Sequence, residues 1–180
     1  MHNRKSSALI VVATMVLAIA PLTAQAQGTP TDPQIVEIVR VANQIDIDQA
    51  KLALQKSKNQ QVKDFANQMI SDHTSLNKSV ADLAKKLQVT PQPSDTSKQL
   101  KQQAADEMKK LKPLQGKAFD QEYVSHEVAY HQAVIDAVSK TLIPNAKNAE
   151  LKSALESAAP LFQGHLQHAQ QLEQSLGSGK

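Results

Sequence analysis

Between residues 62 and 87, apolar side chains recur at alternating intervals of four and three residues, and a histidine occupies one of these positions. An α-helix brings residues at that spacing onto one face, and helices pack along such a face. The same pattern recurs over residues 35–53, 124–142 and 151–176. No segment alternates polar and apolar residues with a period of two, and five glycines in 180 residues are few for hairpin turns. The sequence therefore predicts an all-α protein.

Proline, glycine and asparagine residues divide the chain into five predicted helices. Four of them are long and cover about residues 34–57, 60–88, 118–142 and 148–176. A shorter, polar helix from Thr96 to Leu111 lies in the crossover between the second and third long helices. Because a long crossover lets those two bundle helices run parallel, we expect a ferritin-like four-helix bundle. Pro160 inside the last helix predicts a kink there.

Residues 1–26 have the features of a secretory signal peptide. A positively charged start precedes an apolar run from Ala8 to about Leu22, and Ala24-Gln25-Ala26 is a small-x-small cleavage signal. The run is shorter than the roughly 20 apolar residues of a membrane-spanning helix, and Pro21 lies near its end. We expect cleavage near Ala26-Gln27, no membrane span in the mature chain, and a periplasmic or secreted protein.

The rest of the chain is predicted to form a flexible linker over residues 27–33, the bundle domain over 34–176 and a tail over 177–180. Removal of Arg4 and Lys5 with the signal peptide leaves 18 basic against 17 acidic residues. This near balance argues against nucleic acid as a partner. The absence of cysteine excludes disulfides, cysteine nucleophiles and thiolate metal sites.

Each long helix carries one ionisable residue on its otherwise apolar row: Asp46, His73, His131 and His165. Each stands within about three residues, or about 5 Å of rise, of the middle of its predicted helix. Because a midpoint stays a midpoint when a helix is reversed, we expect the four to share one layer. One carboxylate and three imidazoles suit a divalent transition metal such as Zn, Fe, Mn or Cu. A purely structural hydrogen-bond network is the alternative.

A second tier of candidate metal residues stands near these four: Asp72, Glu127 and His168. Glu127 and His168 each stand about one helical turn from a histidine of the first group, so each shares a helix face with it. Asp72 and Tyr123 are expected to orient an imidazole by hydrogen bonding to it.

Short motifs span most of the expected bundle: Asp46–Ala53, Val62–Ala66, Met69–Thr74, Phe119–Tyr123 and Pro160–Leu166. Together with His131, they resemble the bacterial domain-of-unknown-function 4142 proteins, an exported family. The resemblance covers nearly the whole mature chain. It implies a ferritin-like fold in the periplasm and carries no activity with it. Asp46 stands where the family often has Glu, which has a longer reach.

A di-iron ferritin would also show paired Glu-x-x-His motifs. In this chain Glu122 stands four residues before His126, and Glu127 four before His131, one residue too wide in both cases. The sequence therefore gives no support to iron storage or di-iron oxidation.

The sequence favours a non-enzymatic periplasmic bundle that binds one divalent transition metal and serves in metal handling or stress tolerance. One alternative is a metal-dependent oxidoreductase, in which Asp46 and the three histidines leave a coordination position open for water or dioxygen. Another is a metal-free interaction module that presents the polar helix over residues 96–111 to a partner. No motif identifies a substrate, a protein partner or an oligomeric state.

Overall fold

The computed structural model describes residues 28–178, so the predicted signal peptide and its cleavage site lie outside the described residues. The described part is helical and contains no strand, which confirms the all-α prediction. Six α-helices follow one another, with a π-helical turn at Val138–Leu142 between the fourth and the fifth. They are α1 (Asp32–Lys56), α2 (Gln60–Lys86), α3 (Asp95–Leu111), α4 (Gly116–Ala137), α5 (Ile143–Asn145) and α6 (Ala149–Ser178).

Side chains at the helix starts determine where the helices begin. Thr31 and Gln34 form a capping box, so α1 starts at Asp32, two residues before the predicted boundary. The Asn59 side chain accepts hydrogen bonds from two backbone N–H groups at the start of α2. Asn148 does the same for α6 through the N–H groups of residues 150 and 151.

The π-helical turn is a departure from the expected α-helix over residues 118–142. Its backbone hydrogen bond runs from the Ile143 N–H to the Val138 carbonyl, five residues back. Pro144 follows directly, and its ring nitrogen has no hydrogen with which to continue an α-helical ladder. Further along, α6 continues through Pro160 as one unbroken helix.

The crossover helix α3 sets the directions of the bundle helices. The Gln92 N–H donates to the Pro33 carbonyl, which ties the α2–α3 connection to the start of α1. At the other end, Lys56 Nζ donates to the Leu114 carbonyl, which ties the end of α1 to the α3–α4 connection. Because α2 and α4 both begin at this second end, they run parallel, and each forms an antiparallel pair, α1 with α2 and α4 with α6. The predicted four-helix topology is confirmed.

The interior consists of two apolar clusters with a polar layer between them. The Phe65 cluster surrounds Phe65, Met69, Phe119 and Tyr123 at the end where α2 and α4 begin. The Leu155 cluster surrounds Ile35, Leu142, Leu151 and Leu155 at the opposite end. Between the two, all four long helices contribute buried polar residues that we call the central polar layer: Asn43, Asp46, Gln49, His73, Glu127, His131 and His165.

None of the helices within residues 28–178 combines the length and the apolar character that crossing a membrane requires.

Candidate metal centre

The structure brings Asp46, His73, His131 and His165 together from four different helices. Their exposed fractions are between 0% and 2%. Asp46 Oδ2 lies 3.2 Å from His73 Nε2 and 3.6 Å from His131 Nε2. Each of the three histidines offers a ring nitrogen within 4.8 Å of those of the other two. The four residues therefore share one buried layer, as their positions at the helix midpoints predict.

The ring of His73 is oriented by two asparagines. His73 Nδ1 lies 3.0 Å from Asn43 Oδ1, and the Asn43 amide nitrogen donates in turn to Asn77 Oδ1 at 3.1 Å. An amide oxygen only accepts hydrogen bonds, so the proton of His73 is on Nδ1. His73 Nε2 therefore carries a lone pair, and it is buried without a hydrogen-bond partner.

The same argument applies to the other two histidines. His131 Nδ1 donates to the backbone carbonyl of Glu127 at 3.0 Å, and His165 Nε2 donates to Asp72 Oδ2 at 2.9 Å. The opposite ring nitrogens, His131 Nε2 and His165 Nδ1, are buried and have no partner. Three neutral imidazoles thus bury three unpaired lone pairs in the central polar layer, and each ring is held from behind by an acceptor. Histidine ligands of metals are oriented in this way.

Burial lowers the pKa of two of these imidazoles, His73 and His165. Burial, assisted by the neighbouring His165 and His131, lowers the pKa of His73 to about 3. Burial also lowers the pKa of His165, although the hydrogen bond to Asp72 opposes this shift. At neutral pH both rings are therefore in the form that can coordinate a metal ion.

The carboxyl groups of the layer respond to burial in the opposite direction. Burial and then the nearby Glu127 raise the pKa of Asp46 well above its usual value. Burial raises the pKa of Glu127 to about 8. A cation would reverse both shifts, because it stabilises the carboxylate form.

Glu127 belongs to a second group of potential ligands, which it forms with Asp46 and His131. One ligand atom from each of these three lies within 4.8 Å of the other two, and Glu127 Oε2 is 3.4 Å from His131 Nδ1. Gln49 and Tyr123 are buried nearby on the same inner faces of α1 and α4. The second-tier residue Glu127 is thus part of the layer, and Tyr123 lies next to the carboxyl groups of Asp46 and Glu127.

The structure places the other second-tier residues differently. Asp72 hydrogen-bonds to His165, so it occupies the orienting position that the sequence indicates. His168 lies outside both groups: its Nδ1 pairs with Gln68 Oε1 at 2.9 Å, and its ring contacts Phe65.

Two residues of the layer were missed by the sequence analysis as functional candidates. Asn43 and Gln49 stand three residues before and three residues after Asp46, so they share its helix face. Polar amides on a buried row are the signal that could have identified them.

Comparison with protein families identifies the chain. The family described as Domain of unknown function (DUF4142) matches residues 18–172. The protein belongs to this family. A comparison with curated proteins gives no match.

Among solved structures, the fold is similar to that of CopM. The Cu(II)-bound form of CopM aligns with a TM-score of 0.63 and 22% identity, covering 81% of this chain and 98% of CopM. The Ag-bound form obtained by soaking aligns with a TM-score of 0.64 and 22% identity, covering 82% and 97%. The apo form aligns with a TM-score of 0.64 and 21% identity, covering 81% and 98%. At this identity the likeness shows the shared helical-bundle fold.

Proposed function

We propose that this DUF4142 protein handles a transition metal, and that it holds one divalent ion between His73, His131 and His165 with help from Asp46. The observation that carries the proposal is the set of three imidazole ring nitrogens that make no hydrogen bond, buried in one layer and within 4.8 Å of one another. Lone pairs cannot pair with one another, whereas a metal ion accepts all three.

A structural hydrogen-bond network explains the layer less well. Buried polar groups in proteins nearly always have partners. Here five buried side-chain atoms of the layer have none: Gln49 Nε2 and Oε1, His73 Nε2, His131 Nε2 and His165 Nδ1.

Copper is the first candidate ion, followed by zinc. Imidazole is a good ligand for both, and a carboxylate completes a mixed nitrogen and oxygen set. The similar CopM structures contain Cu(II) and Ag, which supports the choice of copper. The burial of all four ligand residues favours holding an ion over converting a substrate.

The test is a titration of the metal-stripped protein with Cu²⁺, Zn²⁺, Mn²⁺ and Fe²⁺, followed by melting temperature and metal content. Binding to the native state alone stabilises it by mass action, so Cu²⁺ or Zn²⁺ should raise the melting temperature until one equivalent is bound. The double variant His73→Leu/His165→Leu should lose this shift. His168→Leu is the matched control, since it removes a histidine of the same helix that lies outside the group.

The metal-free double variant gives a second measurement. Replacing buried polar groups by apolar ones of similar volume is often neutral or stabilising, so its metal-free stability should match or exceed that of wild type. If no ion gives a saturable shift in wild type, the layer is a hydrogen-bond network and the metal proposal is wrong.

We also propose that the protein acts outside the cytoplasm after loss of residues 1–26. The charged start, the apolar run and the Ala-Gln-Ala triplet support export. Sequencing the amino terminus of protein from the periplasm or the medium should find Gln27 first. Mature cytoplasmic protein that still begins at Met1 would refute export.

A further inference from the structure

One metal ion bound to the three histidines does not explain the buried carboxyl groups of Asp46 and Glu127. The carboxyl groups of Asp46 and Glu127 are buried against each other and against the Tyr123 hydroxyl. The exposed fractions of the two residues are 1% and 0%. Within residues 28–178, the ion pairs of Asp46 and Glu127 are with His73 and His131 only, and no lysine or arginine joins them. Buried carboxylates without a cation are costly.

Neutral oxygen atoms surround the same two carboxyl groups. The Tyr123 hydroxyl is fully buried beside them, and its pKa is raised by burial, by Glu127 and by Asp46. Gln49 stands one helical turn from Asp46, is 1% exposed, and has neither its amide oxygen nor its amide nitrogen paired. The unpaired amide of Gln49 is an observation independent of the carboxylates.

The ligand atoms form two overlapping sets. One set contains the three histidines and the other contains Asp46, Glu127 and His131. Metal ions hold nitrogen and oxygen ligands at about 2.0 to 2.2 Å, so two ligand atoms of one ion are at most about 4.4 Å apart. Since Asp46 Oδ2 faces the histidines while the Asp46 carboxyl group also lies against that of Glu127, this carboxylate is able to bridge two neighbouring ions.

We propose that the layer contains a second cation subsite, formed by Asp46 Oδ1 and the Glu127 carboxylate, with the Gln49 amide oxygen and the Tyr123 hydroxyl beside them. The subsite rests on the proposed function, because Asp46 and His131 are shared with the histidine site. Its ligands are oxygen atoms, which favour harder ions than imidazoles do. Mg²⁺ gives up its waters reluctantly and this position is buried, so Mn²⁺ is the ion that fits.

The two subsites can be tested separately with two probes. Metal-stripped full-length protein is first loaded with one equivalent of Zn²⁺ and then titrated with Mn²⁺, and free Mn²⁺ is followed by electron paramagnetic resonance. Wild type is expected to hold one Zn²⁺ and one Mn²⁺ after desalting. Glu127→Gln should keep Zn²⁺ and lose at least tenfold in Mn²⁺ affinity. His168→Leu should bind both ions as wild type does.

The outcomes distinguish this inference from the proposed function. If wild type binds Zn²⁺ but no Mn²⁺, or if Glu127→Gln binds Mn²⁺ as well as wild type does, the second subsite is refuted and the histidine site stands. If Zn²⁺ does not bind, the proposed function itself fails. Should Glu127→Gln not fold, Tyr123→Phe removes only a hydroxyl and supports the same comparison, with weaker Mn²⁺ binding expected and unchanged binding contradicting the subsite.

Discussion

Phe65 and Glu127 are both fully buried, although Phe65 lies in an apolar cluster and Glu127 in the central polar layer. The ring of Phe65 meets Tyr123 and His168 edge to face, with centroid distances of 6.3 Å and 5.1 Å. Burial of such a ring stabilises the fold. Glu127 has given up water, and within residues 28–178 its ion pair is with His131 only. The same helical pattern buries both residues, but at the apolar ends burial stabilises the fold, whereas in the middle it encloses ionisable groups.

A second buried carboxylate shows that burial alone does not explain Glu127. Glu37 on α1 is 5% exposed, but it accepts two hydrogen bonds from Arg40 and one from Lys101. These bonds, that of Arg40 above all, lower the pKa of Glu37, whereas burial raises the pKa of Glu127 to about 8. Glu37 is thus a buried carboxylate that cationic side chains of the fold stabilise. The central polar layer lacks such cations.

The largest effect is expected from Phe65→Ala, which removes a fully buried ring from the apolar cluster. Truncations of this kind cost about 3 to 5 kcal/mol, because apolar contact is lost and a cavity is left. Chemical denaturation of the metal-free variant measures the loss. A cost below about 1 kcal/mol would show that this end is not what holds the bundle together. Phe65→Leu, which keeps most of the volume, should cost less.

Leu155→Ala tests the other apolar end and should cost about 2 to 5 kcal/mol. Leu155 is 5% exposed, while Leu83 on α2 is only half-buried. Both line a cavity of about 490 Å³ beside the Leu155 cluster. Leu83→Ala should therefore cost clearly less than Leu155→Ala in thermal melts. Equal costs would contradict the difference in burial.

Leu83 also shows which structural features the sequence predicts and which it does not. Its place in the four-and-three row correctly puts it on the inner face of α2, but the same row predicts full burial, which is wrong for Leu83. Periodicity specifies a direction on the helix, whereas the depth of burial depends on how closely neighbouring helices approach. The four-and-three pattern of apolar residues contains no information about the cavity that Leu83 lines.

The candidate metal site could also be predicted only in part. The midpoint argument predicts that Asp46 and the three histidines share a layer, because rise per residue is fixed in an α-helix. It could not predict that Asn43 and the Glu127 carbonyl select the tautomers of His73 and His131, since hydrogen bonds between side chains depend on rotamers and helix rotation. The ligand role of these residues stays a prediction that metal binding must test.

The pH dependence of the metal-free protein should differ between wild type and Glu127→Gln. The pKa of Glu127 is about 8 in the folded protein and near 4.5 in the unfolded chain, so its contribution is fully present below pH 4.5 and is lost as pH rises through 8. Glu127 should therefore cost wild type about 2 kcal/mol between pH 6.5 and 8, at about 1.4 kcal/mol per pH unit. Glu127→Gln keeps every histidine, so the comparison of the two proteins isolates the Glu127 share.

Chemical denaturation at several pH values checks this slope. The glutamine of Glu127→Gln cannot titrate, so the Glu127 share of the loss should disappear, leaving the change that Asp46 contributes in the same direction. A wild type whose stability is constant from pH 6.5 to 8 would mean that Glu127 is solvated or paired in the folded state. In that case the contrast with Glu37 would be wrong.

The smallest effect is expected from Lys101→Ala on the crossover helix. The Lys101 side chain is 54% exposed, and its Nζ lies 3.1 Å from Glu37 Oε1. Arg40 still donates two hydrogen bonds to Glu37 when Lys101 is absent, so the buried carboxylate keeps a cation. Exposed ion pairs contribute at most about 1 kcal/mol, and the measured loss should be no larger. A loss as large as that of Leu155→Ala would mean that the ion pair of Lys101 with Glu37 stabilises the bundle as much as apolar burial does, which would contradict the comparison between the apolar ends and the rest of the molecule.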